Sequence, residues 1–462
     1  EKAGADEVVL LDYDNLEDFS SVELDRTSAP QGAQLHLTIT DGQLNIDPTS
    51  DDAVMFYIVD GSEGVSNWYN DQAYAAITAA QGNFGDNGLL KVDKQTSGAA
   101  AVLVTDATAD DTADNDYLIF FETGANTGVF VNTDDLDDAS LEVSSSAARG
   151  TTATITYNDS ATSFIVANST GSLDMDTSSV GDEWNSGESM SVTLIDEDRN
   201  LNTSSDESLD FSDTAIPTIV TGSPVSASTT DISRIFAASF SSAGSDTLSE
   251  ITIDDITGIN DTLDLVSVNV TNCSEATGVW SITETTSGTV IASGTSTNEV
   301  IEWDANEATG TGTDTIDLDL AGVDEEDCNI AVDFMSFGEG TNNAVYRMLL
   351  EESDDNTGAF EGDIEYIMLN QLNSKSGEIP TVTANDDSIT MVLAADHTGT
   401  DAPRLKYADT DSDGQATAIA DQADANTHNG VVSFDSSNYK VADTVTVTVE
   451  DMDLNTDSEL ID

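Results

Sequence analysis

The chain has 462 residues, 38% of them hydrophobic, and sets 89 Asp and Glu against 12 Lys and Arg, a formal charge of −77. That balance excludes recognition of a phosphate backbone, which needs clustered Lys and Arg, and docking to anionic lipid through a polybasic patch. What such a surface attracts is cations, and the length suits roughly two to four domains.

The first clear element is "GAQLHLTITDGQLNIDPTSDD" from Gly32, a period-two strand that runs into an acidic loop. Asp41 is a candidate cation ligand there, with Gln43 where later copies carry a second Asp. His36 lies within the alternating part and reads as a structural histidine. "NDQAYAAITAAQG" from Asn70 has an Asn/Asp start, an Ala-rich body and a terminal Gly, which predicts a short helix. "FFETGANTGVF" from Phe120 puts Asn-Thr-Gly between two apolar strands, a tight-turn signal. Glu122 and Asn126 are either metal ligands or members of turn hydrogen bonds.

The strand-and-loop motif returns as "GESMSVTLIDEDRNLNTSSDE" from Gly187, preceded by "TGSLDMDTSSV" at Thr170. Its period places Met190, Val192 and Leu194 on one face, and Asp196 with Asp198 follow as candidate ligands. Ala215–Pro224 and Ser374–Pro380 read as linkers. Between them lies an insert, about 225–340, that carries Cys273 and Cys328. In an oxidising compartment these predict a disulfide; two buried free thiols are the alternative. The hairpin motif recurs as "LLEESDDNTGAF" from Leu349, with Glu352 and Asn356 at the positions of Glu122 and Asn126.

"DTDSDG" at Asp409, Asp411 and Asp413 spaces three carboxylates like the first half of an EF-hand loop, although Ala420 stands where the closing Glu belongs. "GQATAIADQADAN" from Gly414 is a weaker helix candidate. "NGVVSFDSSNY" at Asn429 and "ADTVTVTVEDMDLNTDSE" from Ala442 repeat the order found at 170–207, with Val445, Val447 and Val449 on one face and Asp451 with Asp453 in the loop.

The order of motifs is itself repeated, which gives unit one at 1–170, unit two at 171–375 and the start of a third in 376–462. Short Thr/Val/Ile strands between Asp, Asn, Gly and Ser turns predict an all-β fold of tandem immunoglobulin-like β-sandwiches. Six sequons, at Asn158, Asn168, Asn202, Asn260, Asn269 and Asn272, fit a secreted glycoprotein. No apolar run approaches the ~20 residues needed to span a bilayer. With no leader at Glu1 and a stop inside a repeat, the chain reads as a segment of a longer protein. Three His, no HExxH, no GxSxG and no phosphate-binding Gly loop give no basis for an enzyme.

The stretches "DRTSAPQGAQLHLTITDGQLNIDPTSDD", "RGTTATITYNDS", "GDEWNSGESMSVTLIDEDRNLNT" and "ETGANTGVF" resemble repeats of the surface-layer proteins of ammonia-oxidising archaea. The resemblance covers most of the chain and is weakest over 225–345. It implies an extracellular subunit that self-assembles into a porous two-dimensional lattice on the cell surface. It also implies divalent-cation binding and an acidic coat that favours passage of ammonium; the hard oxygens of the Asp loops themselves point to Ca2+. A calcium-stiffened adhesin or sheath filament shares the repeats and the acidity. An accessory β-sandwich region of a halophilic exoenzyme is a further alternative.

Overall fold

The structure, a computed structural model, describes residues 19–58, 64–65, 67–70, 90–92, 102–105, 116–209, 217–221, 235–236, 251–254, 263–271, 279–284, 290–294, 298–303, 313–321, 329–338, 341–368, 386–393 and 395–458. Among them the chain is all-β, with no α-helix and with 3₁₀ turns at Gly399–Asp401 and Met452–Leu454. No helix among the described residues is long and apolar enough to cross a membrane.

The first unit contains β1 (Ser21–Leu24), β2 (Ser28–Ala29), β3 (Leu37–Thr40), β4 (Ala53–Ile58), β5 (Gly64–Val65), β6 (Asn67–Asn70), β7 (Leu90–Val92), β8 (Leu103–Thr105), β9 (Asp116–Glu122), β10 (Val129–Val131), β11 (Leu141–Val143), β12 (Thr152–Tyr157) and β13 (Ser160–Val166). One sheet runs β1-β3-β10-β9-β4-β6, and a second runs β2-β13-β12-β7-β5. Alternation explains the core between them. Leu37 and Ile39 are buried while Thr40 is exposed, as a pleated strand with one dry face requires. Phe56 stacks edge-on against Phe120 at 5.4 Å and Tyr157 at 6.2 Å. Each large apolar side chain so buried contributes about 1.5–3 kcal/mol.

The second unit begins with β14 (Ser172–Met175), β15 (Met190–Ile195), β16 (Ser208–Leu209) and β17 (Thr218–Thr221). The insert follows as β18 (Ile235–Phe236), β19 (Ile251–Asp254), β20 (Leu263–Thr271), β21 (Val279–Glu284), β22 (Val290–Gly294), β23 (Asn298–Trp303), β24 (Thr313–Ala321) and β25 (Asn329–Gly338). The chain returns through β26 (Thr341–Arg347), β27 (Leu350–Glu352), β28 (Ala359–Met368), β29 (Ser388–Leu393), β30 (Arg404–Thr410) and β31 (Ala416–Gln422). The order β14-β15-β28-β27 matches β1-β3-β10-β9, and β31-β30-β17 faces it as β13-β12-β7 does in the first unit. The second core joins Met190, Val192 and Leu194 to Tyr366, Ile389 and Leu405, so β29 and β30 pack with it. The insert's β19-β24-β21-β22 form a separate four-stranded sheet, while β20, β23 and β25 continue the sheet that holds β26 and β17.

Two sequence expectations are corrected. The stretch from Gly414 is not a helix: Ala416–Gln422 is a strand, paired over seven residues with β30. Its alanines favour helix, but Thr417, Ile419 and Asp421 turn inward at period two, and the ladder overrides propensity. Nor is Ala215–Pro224 wholly a linker. Thr218–Thr221 lies between β26 and β30, with Ile219 fully buried. The expected helix after Asn70 and the linker Ser374–Pro380 lie outside the described residues.

The third copy of the motif forms a two-stranded ladder, β32 (Val431–Phe434) with β33 (Val447–Glu450).

Candidate functional site

All three acidic loops are built alike. The first Asp after the strand accepts, at Oδ1, the backbone N–H two residues on: Gln43 to Asp41 at 2.8 Å, Asp198 to Asp196 at 2.9 Å and Asp453 to Asp451 at 3.1 Å. Its carbonyl accepts the N–H three residues on, from Leu44, Arg199 and Leu454 respectively. Such Asx turns explain why Asp recurs there. In the two sandwiches a buried tyrosine completes the arrangement. Tyr157 donates to Asp41 Oδ2 and Tyr407 to Asp196 Oδ2, both at 2.6 Å. Burial, first, and the neighbouring carboxylate raise the pKa of Tyr157. Burial also raises that of Tyr407, against the opposing pull of Arg199.

Among the described residues one group of carboxylates converges as a metal shell would: Asp196, Asp198 and Asp409, each with an oxygen within 4.8 Å of the others. Oxygens on a calcium ion at 2.3–2.6 Å stand at most about 5 Å apart, so the spacing fits. Asp409 lies on β30 and is buried. Its Oδ2 accepts the Gly171 N–H at 3.1 Å, whereas its Oδ1 is buried with no hydrogen-bond partner. A buried acceptor left unpaired is costly unless a ligand meets it. Burial, first, and then the Asp196 charge push the Asp409 carboxyl up, although the Gly171 amide opposes them. Asp198 is pushed up to about 6, chiefly by burial and in part by Asp196, against the hydrogen bonds from Ser169 and Asn168. Both groups are held in a place that favours neutralisation by a proton or a cation. Arg199, 4.0 Å from Asp196, is the cation at hand, and it also donates to Tyr407 Oη at 2.8 Å.

The same carboxylates grip the segment between the two sandwiches. Asp198 accepts Asn168 Nδ2 and the Ser169 N–H, both at 2.9 Å, and Asp409 takes Gly171. Thr170 Oγ1 accepts the Ser412 N–H at 3.0 Å, and Arg149 of the first unit donates to the Ser412 carbonyl. The loop after Asp196 docks on the first unit. Gln34 N–H donates to the Leu201 carbonyl at 2.8 Å, Arg26 to the Asn200 carbonyl at 2.9 Å, and His36 Nε2 meets Asn202 Oδ1 at 2.8 Å. The loop after Asp451 docks on the second unit in the same way. Ser458 N–H donates to the Gly187 carbonyl and Ser186 Oγ to the Asn455 carbonyl, each at 2.8 Å.

The remaining candidates are placed as follows. Asp411 and Asp413 belong to the β30–β31 turn. Asp411 Oδ1 accepts the N–H groups of Asp413 and Gln415, both at 2.9 Å, and its Oδ2 accepts from Thr417. The structure thus divides the run, sending Asp409 alone to the converging group. Asp453 accepts the His428 N–H and meets His428 Nδ1 at 3.1 Å. Glu122 Oε1 accepts the N–H groups of Thr127 and Gly128, both at 2.8 Å, and Glu352 Oε1 those of Thr357 and Gly358 at 2.8 and 2.7 Å. Asn126 accepts from Asn45 at 3.0 Å and Asn356 from Asn200 at 2.9 Å. The two hairpins are therefore clasped to the two acidic loops.

Asn202 is buried, with Nδ2 committed to the Asp137 carbonyl at 2.9 Å. Asn158 Nδ2 bonds Ser20 Oγ, and Asn168 holds Asp198. Cys273, Cys328, Asn260 and Asn272 lie outside the described residues, as does the side chain of Asn269. Sequence reasoning missed Tyr157 and Tyr407. Their signal was present: each stands two residues before an Asp at the end of an alternating strand, in "TITYND" and "RLKYAD".

No family model matches the chain, and no curated protein matches it. Among solved structures, trypsin-activated alpha-2-macroglobulin from Escherichia coli aligns with 93% of this chain at 7% identity and a TM-score of 0.13. The chain spans 26% of that protein's length, and a likeness this weak carries no argument. What the fold defines is a class: an all-β protein of repeated sandwiches.

Proposed function

We propose that this protein is a structural subunit of an extracellular, self-assembling, porous lattice, and that divalent cations, calcium foremost, fix the angle between its repeats. The observation that carries the reading is the convergence of Asp196, Asp198 and Asp409 on the segment joining two sandwiches, with a buried Asp409 oxygen left free. A cation there neutralises three crowded carboxylates and ties the Asp196 loop, the β30–β31 hairpin and residues 168–171 to one centre. The chain's part is to supply hard oxygens and a rigid frame; the ion supplies charge and coordination.

The charge of −77 gives the pores of such a coat a preference for cations, ammonium among them. Salt confines that preference to the pore walls, because the Debye length is about 8 Å at 0.15 M and about 3 Å at 1 M. The reading assigns no catalytic step. Electron microscopy of the purified protein with calcium, and after chelation, tests it. Two-dimensional arrays that disperse on chelation are expected, and linear fibres would favour the filament alternative instead.

A further inference from the structure

The β32–β33 ladder has the register of the other two motif pairs but not their cover. Val431 faces Glu450 and Val432 faces Val449, as Ser172 faces Ile195 and Leu173 faces Leu194 in the second unit, and Ser21 faces Thr40 in the first. Met190, Val192 and Leu194 are each 0% exposed, whereas their counterparts Val445, Val447 and Val449 are 42%, 53% and 56% exposed. On the partner strand Phe434 is 63% exposed where Met175 is 2%. Nothing about an isolated two-stranded ladder stabilises such a face in water.

In both sandwiches the facing sheet covers this face, and the same kind of strand closes the edge of the ladder. It follows an Asn-Thr-Gly turn and pairs antiparallel with the strand before the Asp loop. Val129 lies opposite Thr40 with Phe130 opposite Ile39, and Ala359 lies opposite Ile195 with Phe360 opposite Leu194. Two clasps fix the register. The glycine carbonyl accepts the loop Asp N–H, Gly128 from Asp41 and Gly358 from Asp196, both at 2.8 Å. The turn asparagine accepts from the Asn four residues after that Asp, Asn126 from Asn45 and Asn356 from Asn200. The glycine is required twice over. Its φ is +63° or +57°, and an added Cβ would stand 3.0 Å from Gly42 Cα or 3.1 Å from Glu197 Cα. The third copy keeps both halves of the lock, Asp451 and Asn455, at the same spacing.

We propose that the edge of β33, along Val445, Val447 and Val449, forms a docking site for one kind of occupant. That occupant is a polypeptide hairpin of the chain's own Asn-Thr-Gly-apolar-Phe type, added as an antiparallel strand. Its glycine carbonyl meets the Asp451 N–H, its asparagine meets Asn455 and its phenylalanine lies opposite Val449. This is strand addition, with main-chain bonds giving affinity and side-chain alternation giving specificity. The inference is independent of any bound ion.

The test uses the 462-residue chain and a labelled synthetic peptide of residues 349–368, followed by fluorescence anisotropy and hydrogen exchange. Saturable one-to-one binding with slowed exchange at residues 445–451 is expected. Phe360→Asp in the peptide or Val449→Asp in the chain, an exposed position, should weaken binding about tenfold or more. Because a short peptide folds poorly alone, a second chain carries the same segment after Asp462 on a flexible linker. It should show the same protection, lost with Val449→Asp. Absence of protection in both formats, binding indifferent to Phe360→Asp, or a face already closed by self-association of the chain would overturn the proposal.

Discussion

Tyr407 donates its hydroxyl hydrogen to Oδ2 of Asp196 at 2.6 Å across 211 residues of sequence. Tyr157 makes the same bond, at the same length, to Asp41. The carboxylate is thereby held at both ends, by its own turn at Oδ1 and by the facing sheet at Oδ2. In the second unit this pair also orients the acidic group next to Asp198 and Asp409.

Tyr407→Phe and Tyr157→Phe should each cost about 1.5–3 kcal/mol, the worth of a buried hydrogen bond to a charged group. Denaturant melts followed by tryptophan fluorescence measure it. Equal losses in the two variants would support equivalent roles in the two sandwiches. A change under half a kilocalorie in either would refute that role for it.

The cation site gives a second expectation. At calcium a hundredfold above its dissociation constant, the native state should gain about 2.7 kcal/mol. Asp409→Asn keeps an acceptor for Gly171 and should remove that gain, while leaving the calcium-free protein no less stable. Calorimetry with calcium and with chelator reads both. The gain should also fade as pH falls through about 6, where Asp198 takes up a proton. Without calcium the sign reverses. The raised folded pKa means that the native state binds the proton more tightly than the unfolded chain, so stability rises as pH falls from about 6 towards the ordinary carboxyl range.

Only part of this site was legible in the sequence. Asp196 and Asp198 stood out because they recur after a strand, and recurrence needs no knowledge of contacts. Asp409 stood out as well, but in the company of Asp411 and Asp413, since local spacing can only group neighbours. Its actual partners come from the loop after β15, and only the packing of the two sheets joins them. The strands were legible where period-two alternation was strong, as in Met190–Ile195. It failed at Ala416–Gln422, where alanine masks the alternation, and at Thr218–Thr221, where flanking prolines imitate a linker.

Glu207 supplies a third expectation. Its carboxyl is pushed up to about 8, first by burial and then by the hydrogen bond and charge of Glu352, against the opposing Asn202 amide. Glu352 is held below its ordinary value, since bonds from Glu207, Gly358 and Thr357 outweigh its own burial. The folded protein therefore keeps a proton on Glu207 across a window, from its ordinary value of 4.5 to about 8, where the unfolded chain releases it. Stability should fall as pH rises through that window, with the loss complete above about 8. Glu207→Gln, which has no proton to lose, should flatten this part of the profile in thermal melts. An unchanged slope would contradict the raised Glu207 carboxyl.

Glu352→Ala and Glu122→Ala remove the acceptor for two backbone N–H groups in each Asn-Thr-Gly turn. Each should cost about 1.5–3 kcal/mol. Hydrogen exchange at Thr357 and Gly358, or at Thr127 and Gly128, should accelerate locally before any global loss. Uniform acceleration across the chain would mean that the hairpin is not the site of the effect.

The most direct test of the central claim is a calcium titration of assembly, followed by light scattering and sedimentation, on the unmodified chain and on Asp409→Asn side by side. The account predicts calcium-dependent assembly of the unmodified chain, reversed by chelator, and a large loss of calcium sensitivity in the variant. Monomers at every calcium concentration, or assembly of the variant at the same calcium concentration as the unmodified chain, would contradict it.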